Sequence, residues 1–115
     1  MVAVDTNVVV RLVTQDHPAQ AARAAAIFRS GPVHIAKTVL LETEWVLRHA
    51  YELDRLTVAQ VFRRVLGYAR AEVEDRPTVV DAVAAYADGF DFADALHLAS
   101  GREADGFLTF DRRLA

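Results

Sequence analysis

Short apolar runs alternate with helical patterns along the whole chain. Val2-Ala3-Val4 predicts a short buried strand that stops at Asp5, and residues 5–12 mix apolar and polar positions as a short helix does. Asp16 as N-cap and Pro18 in the first turn open an alanine-rich helix that reaches Phe28, and Ser30-Gly31-Pro32 breaks it. Val33 to Ala36 predicts a second strand. Thr38 then caps a longer helix to about Leu53, and Thr57 caps another running to Tyr68. Ala71-Glu72-Val73 is a weak third strand, Pro77 to Ala87 a fifth helix stopped by Gly89, and Asp91 caps a sixth that ends near Gly101. Gly106 to Thr109 predicts a last strand, with Asp111 just beyond it.

Short apolar strands separated by helices predict a parallel sheet covered on both faces. The expected fold is therefore a three-layer α/β/α domain with a short central parallel sheet of four to five strands. Ligands of such sheets bind beyond the carboxyl ends of the strands, where Asp5 and Asp111 fall. The 115 residues suit a single domain over 1–115, long enough to bury a core without staples.

Composition narrows the chemistry. The chain has no cysteine, which excludes disulfide frameworks, thiolate metal sites and cysteine nucleophiles. No more than seven residues in a row lack a charge, so no membrane span is expected. The N-terminus has no basic segment followed by an apolar run, and the expectation is a cytoplasmic protein. The net charge of −3 excludes a basic nucleic-acid coat, so any nucleic-acid contact must come from local patches or bound metal. No Gly-rich phosphate loop occurs, and the histidines at 17, 34, 49 and 97 lack ligand spacing. Ser30 and Ser100 have no evident base. A haloacid-dehalogenase-type phosphatase would want an acid at position 7, where Asn7 stands.

The informative residues are carboxylates: Asp5 after the first strand, Glu42 and Glu44 in the long helix, Asp91 and Asp94 opening the sixth helix, and Asp111 after the last strand. Acids brought together repel unless a cation neutralises them, and Mg²⁺ or Mn²⁺ suits oxygen ligands. The expected chemistry is metal-assisted phosphodiester hydrolysis. Each acid also has a structural reading. Asp5, Asp91 and Asp111 fit N-caps, Asp94 suits the first turn of a helix, and Glu44 has Arg48 one turn ahead. Glu42 lies at the margin of an apolar stripe of Val39, Thr43, Val46, Leu47 and Ala50, and helical geometry alone does not choose between the two glutamates. Leu41 and Trp45 lie nearer the polar side and suggest a partner surface, or a pair covered by a loop.

Four stretches in order carry a resemblance: Val4-Asp5-Thr6-Asn7-Val8-Val9-Val10-Arg11-Leu12, Leu40-Leu41-Glu42-Thr43-Glu44-Trp45-Val46-Leu47, Asp91-Phe92-Ala93-Asp94-Ala95-Leu96-His97 and Leu108-Thr109-Phe110-Asp111-Arg112-Arg113-Leu114. Together they resemble the PIN domain, and within it the VapC-type toxins of bacterial and archaeal toxin–antitoxin pairs. The resemblance makes Asp5, Glu42, Asp94 and Asp111 the catalytic, metal-binding acids. It makes Asn7 and Thr109 supports of those carboxylates, with Asp91 as an auxiliary. It implies an endoribonuclease using Mg²⁺ or Mn²⁺ to cut tRNA, rRNA or mRNA, a homodimer, and silencing by an antitoxin laid across the site. Arg11, Arg112 and Arg113 flank the acidic segments, where RNA contact and plain surface solvation are equal readings. The chain ends at Ala115, where family members usually continue, so the expectation is either a missing C-terminal edge helix or strand or a natural chain that ends unusually early. The competing readings are a structure-specific DNA nuclease and a PIN-like module that binds RNA or protein without cutting.

Overall fold

The structure is a computed structural model that describes residues 1–113; Leu114, part of the last motif, and Ala115 lie outside the described residues. The elements run β1 (Val2–Ala3), α1 (Thr6–Thr14), α2 (Pro18–Ser30), β2 (Val33–Ile35), α3 (Lys37–His49), α4 (Arg55–Leu66), β3 (Ala71–Val73), α5 (Arg76–Ala87) and α6 (Phe92–Ser100). The strands form one parallel sheet in the order β1-β2-β3, with Val2 opposite Val33 and Val33 opposite Ala71. A parallel pair needs a crossover between its strands, and two helices supply each one here. The core is built on β2, whose Val33 and Ile35 are fully buried, with Leu47, Val58, Phe62, Val79 and Tyr86 packed from the helices. No described helix is long and apolar enough to cross a membrane.

The mixed α/β, three-layer expectation holds, but the sheet has three strands among the described residues, not four to five. Residues 106–109 form no strand. Leu108 and Phe110 are fully exposed there, while Phe107 turns its ring back toward Gly101. An apolar run signals a wish for burial, but a strand exists only where a neighbour completes its hydrogen-bond ladder. β1 is also shorter than expected and exposed at both residues, because it lies at an edge of the sheet.

Helix bodies follow the sequence reading, whereas several caps do not. Pro18 opens α2 as expected, but His17 Nδ1 accepts from the Gln20 N–H, and Asp16 instead accepts from Thr14 and Tyr51. Thr38 caps nothing. The α3 N-cap is Ala36, and the Lys37 N–H donates to Glu74 Oε1 just past β3, 2.9 Å away. Thr57 is likewise a donor, its N–H bonding the side chain of the true cap, Asp54, at 2.8 Å. At α4 the reason is simple: an N-cap carboxylate sits up to three residues before the N–H it satisfies, so Thr57 stands at the bonded N–H and Asp54 at the cap. Asp5 and Asp91 do cap α1 and α6, as their structural readings required.

Candidate active site

Asp5 leaves β1 in extended conformation and turns its carboxylate onto the start of α1, where Oδ1 accepts from the Thr6 N–H at 2.7 Å. Thr6 is buried, and its hydroxyl donates to Glu42 Oε1 at 2.5 Å. One threonine thus joins an acid at the carboxyl end of the first strand to an acid on α3. α3 follows β2, the neighbour of β1, which is why the two elements meet. Asp5, Asn7, Arg11, Glu42 and Tyr51 line an open cavity of about 400 Å³. The Arg11 guanidinium is fixed on its rim: Nε donates to Gln20 Oε1 at 2.7 Å and Nη1 to the Tyr51 hydroxyl at 2.9 Å, with Asp16 at 3.6 Å. The Tyr51 hydroxyl in turn donates to Asp16, whose carboxyl is held below its ordinary range by bonds from Thr14 and Tyr51.

The second acidic pair lies around the opening of α6. Asp91 Oδ2 accepts from the Asp94 N–H at 3.1 Å, so its carboxylate is used as a cap. Asp94 and Arg113 line a smaller cavity of about 280 Å³ with Gly89, Phe90 and Asp91. The Asp111 N–H donates to Thr109 Oγ1 at 2.9 Å, so Thr109 braces the Asp111 backbone and not its carboxylate. Arg113 makes a forked contact with Asp111, at 3.1 Å from Nε and 2.7 Å from Nη2, and reaches Asp94 at 4.0 Å.

The Arg113 side-chain and backbone bonds pull the Asp111 carboxyl down to about 2. A depressed carboxyl adds its stabilisation above the ordinary carboxylate range and loses it as pH falls toward about 2. Titration followed by carboxyl-carbon NMR is expected to put the Asp111 midpoint near 2, and Arg113→Ala to raise it part of the way to the ordinary range, because the backbone N–H of residue 113 still donates to Oδ1. An unchanged midpoint in the variant would show that the fork does not persist in solution.

The expected acids therefore meet in pairs. Asp5 stands with Glu42, and Asp94 with Asp111 through Arg113, but no three His, Asp or Glu side chains among the described residues come close enough to share a metal ion. Glu44, the other glutamate, is buried and points the opposite way, paired with Arg48 and accepting from the Tyr86 hydroxyl at 2.9 Å. Its structural reading holds. Asn7 lines the cavity but bonds neither carboxylate; Thr6, overlooked in the sequence, is the residue that does. A hydroxyl beside an aspartate at a helix start has many local uses, so the sequence carried no distinct signal for it. Arg112 and His97 are exposed. Leu41 packs on the core, so of the suspected partner pair Trp45 alone stays exposed, its ring tilted over His49.

The donor set at Asp5 and Glu42 fits a hard divalent cation. Mg²⁺ is commonly held by one or two carboxylates and keeps several waters, for which the open cavity has room. The residues that would hold it are Asp5 and Glu42.

The profile of the PIN domain family matches residues 2–115, nearly the whole chain, and the chain belongs to that family. Searches of curated proteins and of solved structures gave no match. PIN domains have a nuclease-type fold, usually act as RNA or DNA nucleases, and generally use divalent metal ions.

Proposed function

We propose that the chain is a Mg²⁺- or Mn²⁺-dependent endoribonuclease and the toxin half of a VapBC-type toxin–antitoxin module, acting in the cytoplasm as a single domain over residues 1–115. The Asp5–Thr6–Glu42 unit carries this reading: two carboxylates from different elements, joined through one buried hydroxyl beside an open cavity at the end of β1. A divalent cation bound there supplies charge neutralisation at the phosphate and a lowered pKa for water. Asp5 and Glu42 hold it, and the Thr6 hydroxyl fixes the direction in which Glu42 presents its second oxygen. Asp94 and Asp111 are the remaining acids of the proposed site, and Asp91, Asn7 and Thr109 support it. Single-stranded or looped segments of tRNA, rRNA or mRNA enter an open crevice more readily than a rigid duplex. Trp45 offers apolar surface to a second copy or to the antitoxin.

One observation favours a second reading, a PIN-like module that binds without cutting. Arg113 lies between Asp94 and Asp111 and neutralises that pair as a cation would. The two readings separate in one experiment. Purified protein is incubated with RNA and single-stranded DNA pools in Mn²⁺, in Mg²⁺ and in EDTA, beside Asp5→Asn. The nuclease reading expects RNA cleavage that needs metal and falls by at least about 100-fold in the variant. Cleavage of DNA alone would move the substrate class, and intact pools with unaltered metal binding in Asp5→Asn would leave the binding module. Silencing of the cleavage by the product of an adjacent gene tests the toxin assignment.

A further inference from the structure

A second groove runs from the acid-lined cavity between α1 and α2. It has a volume of about 200 Å³ and shares Asn7 and Arg11 with that cavity. Beyond them it is lined by Gln20 and Arg23 over an apolar floor of Val8 and Ile27. Gln20, Arg23 and Ile27 are three, four and seven residues apart on α2, so they share one face of that helix. No carboxylate lines the groove, although the chain as a whole is acidic. That contrast separates it from an ordinary stretch of solvated surface, where both signs of charge are expected.

Arg11 is preorganised for a ligand. An arginine has five N–H donors. Two of those of Arg11 go to Gln20 and Tyr51, which with the Asp16 carboxylate at 3.6 Å fix the guanidinium plane, and three remain for an incoming acceptor. Arg23, on the next helix, is exposed and makes no ion pair or hydrogen bond with the described residues. Planar guanidinium groups match phosphate oxygens in fork geometry, and an apolar floor accepts a ribose or base face.

We propose that the α1–α2 groove is the track for the single-stranded RNA backbone flanking the bond cut at Asp5 and Glu42, with Arg11 and Arg23 contacting successive phosphates. The inference rests on the endoribonuclease reading and adds to it where the substrate lies. It explains how an acidic protein holds a polyanion: the two acid pairs lie in cavities of their own, and the groove adjoining the Asp5–Glu42 cavity is lined by arginines with no carboxylate. The contacts are to phosphate, so they position the strand without reading its sequence.

The test uses Asp5→Asn as a non-cutting background and Arg23→Glu as the probe, since Arg23 touches neither acid pair. Binding of a fluorescent eight-nucleotide single-stranded RNA is followed by anisotropy between 50 and 200 mM salt, roughly the range over which phosphate contacts dominate the affinity. Arg23→Glu is expected to weaken binding about tenfold and to flatten the slope of log K against log salt by about 0.7, the increment of one phosphate contact on a single strand. Arg64→Glu on α4, outside the groove and equal in charge change, is expected to stay within about twofold, as charge reversal at a distance is screened. Equal effects of the two variants, or none from Arg23→Glu, would overturn the groove while leaving metal-dependent cleavage by the parent intact. Absence of RNA binding together with absence of cleavage would overturn both. A DNA oligomer of the same sequence is expected to lose the same increment, because no ribose hydroxyl is invoked.

Discussion

Tyr86→Ala is expected to lower the unfolding free energy by about 3–5 kcal/mol, the usual cost of deleting a buried aromatic ring. Tyr86 is 1% exposed and stands where α5, α6, α4 and α3 converge. Its ring meets Phe92 edge to face at 5.3 Å, Arg55 lies over it at 4.8 Å, and Phe92 stacks on Phe62 at 5.0 Å. The hydroxyl donates to Glu44, and burial with that bond pushes the phenol well above its ordinary range, so it remains a donor throughout the physiological pH range. Removing the side chain therefore opens a cavity and strips a buried carboxylate of one partner in the same step. Tyr86→Phe isolates the second effect and is expected to cost about 1.5–3 kcal/mol, the range for a hydrogen bond to a charged group. Domains of this size have a total stability of about 5–15 kcal/mol. Urea unfolding should then show Tyr86→Ala close to the limit of folding and Tyr86→Phe well inside it. A loss below about 1 kcal/mol for Tyr86→Ala would mean that the four helices do not depend on this contact.

The same region shows which parts of the fold were legible in the sequence. Among the described residues, alternation of apolar runs and helical periods located the six helices and the three strands; in β2 and β3 the outer residues are buried and the middle ones, His34 and Glu72, are half-buried and exposed, the period-two pattern of a strand. It failed at residues 106–109, where the apolar character of Phe107 and Leu108 says nothing about whether a neighbouring strand is present. It also misplaced the α3 stripe. Thr43 and Leu47 are buried as expected, but Ala50 is exposed and Glu44 buried, because Arg48 and Tyr86 satisfy its charge. A charged residue reads as surface until its partners are known, and Tyr86 is 42 residues away along the chain. Asp5 could be singled out from its place after a strand. The role of Thr6 could not, since a hydroxyl beside an aspartate has many local uses. Arg113 was legible as a charge near the acids, yet only the folded chain shows it occupied by Asp111.

Glu42 and Glu44, two residues apart on α3, should respond in opposite ways to the same substitution. Glu42→Gln keeps the shape and an oxygen for the Thr6 hydroxyl but removes the charge beside the cavity. Under the proposed reading it lowers metal-dependent RNA cleavage by at least about 100-fold and weakens Mn²⁺ binding, while the unfolding midpoint stays within error. Glu44→Gln keeps a partner for Tyr86 but leaves Arg48 without its ion pair. It should cost about 1–3 kcal/mol of stability, and cleavage per folded molecule should be unchanged. Each variant is thus the control for the other, since they share a helix, a side chain and a chemical change, and differ in which way the side chain points. Glu42→Gln that unfolds early and cuts normally would assign Glu42 to the scaffold. If Glu44→Gln instead lost activity at full stability, the metal-binding assignment on α3 would have to move inward by two residues, to a carboxylate that Arg48 already neutralises.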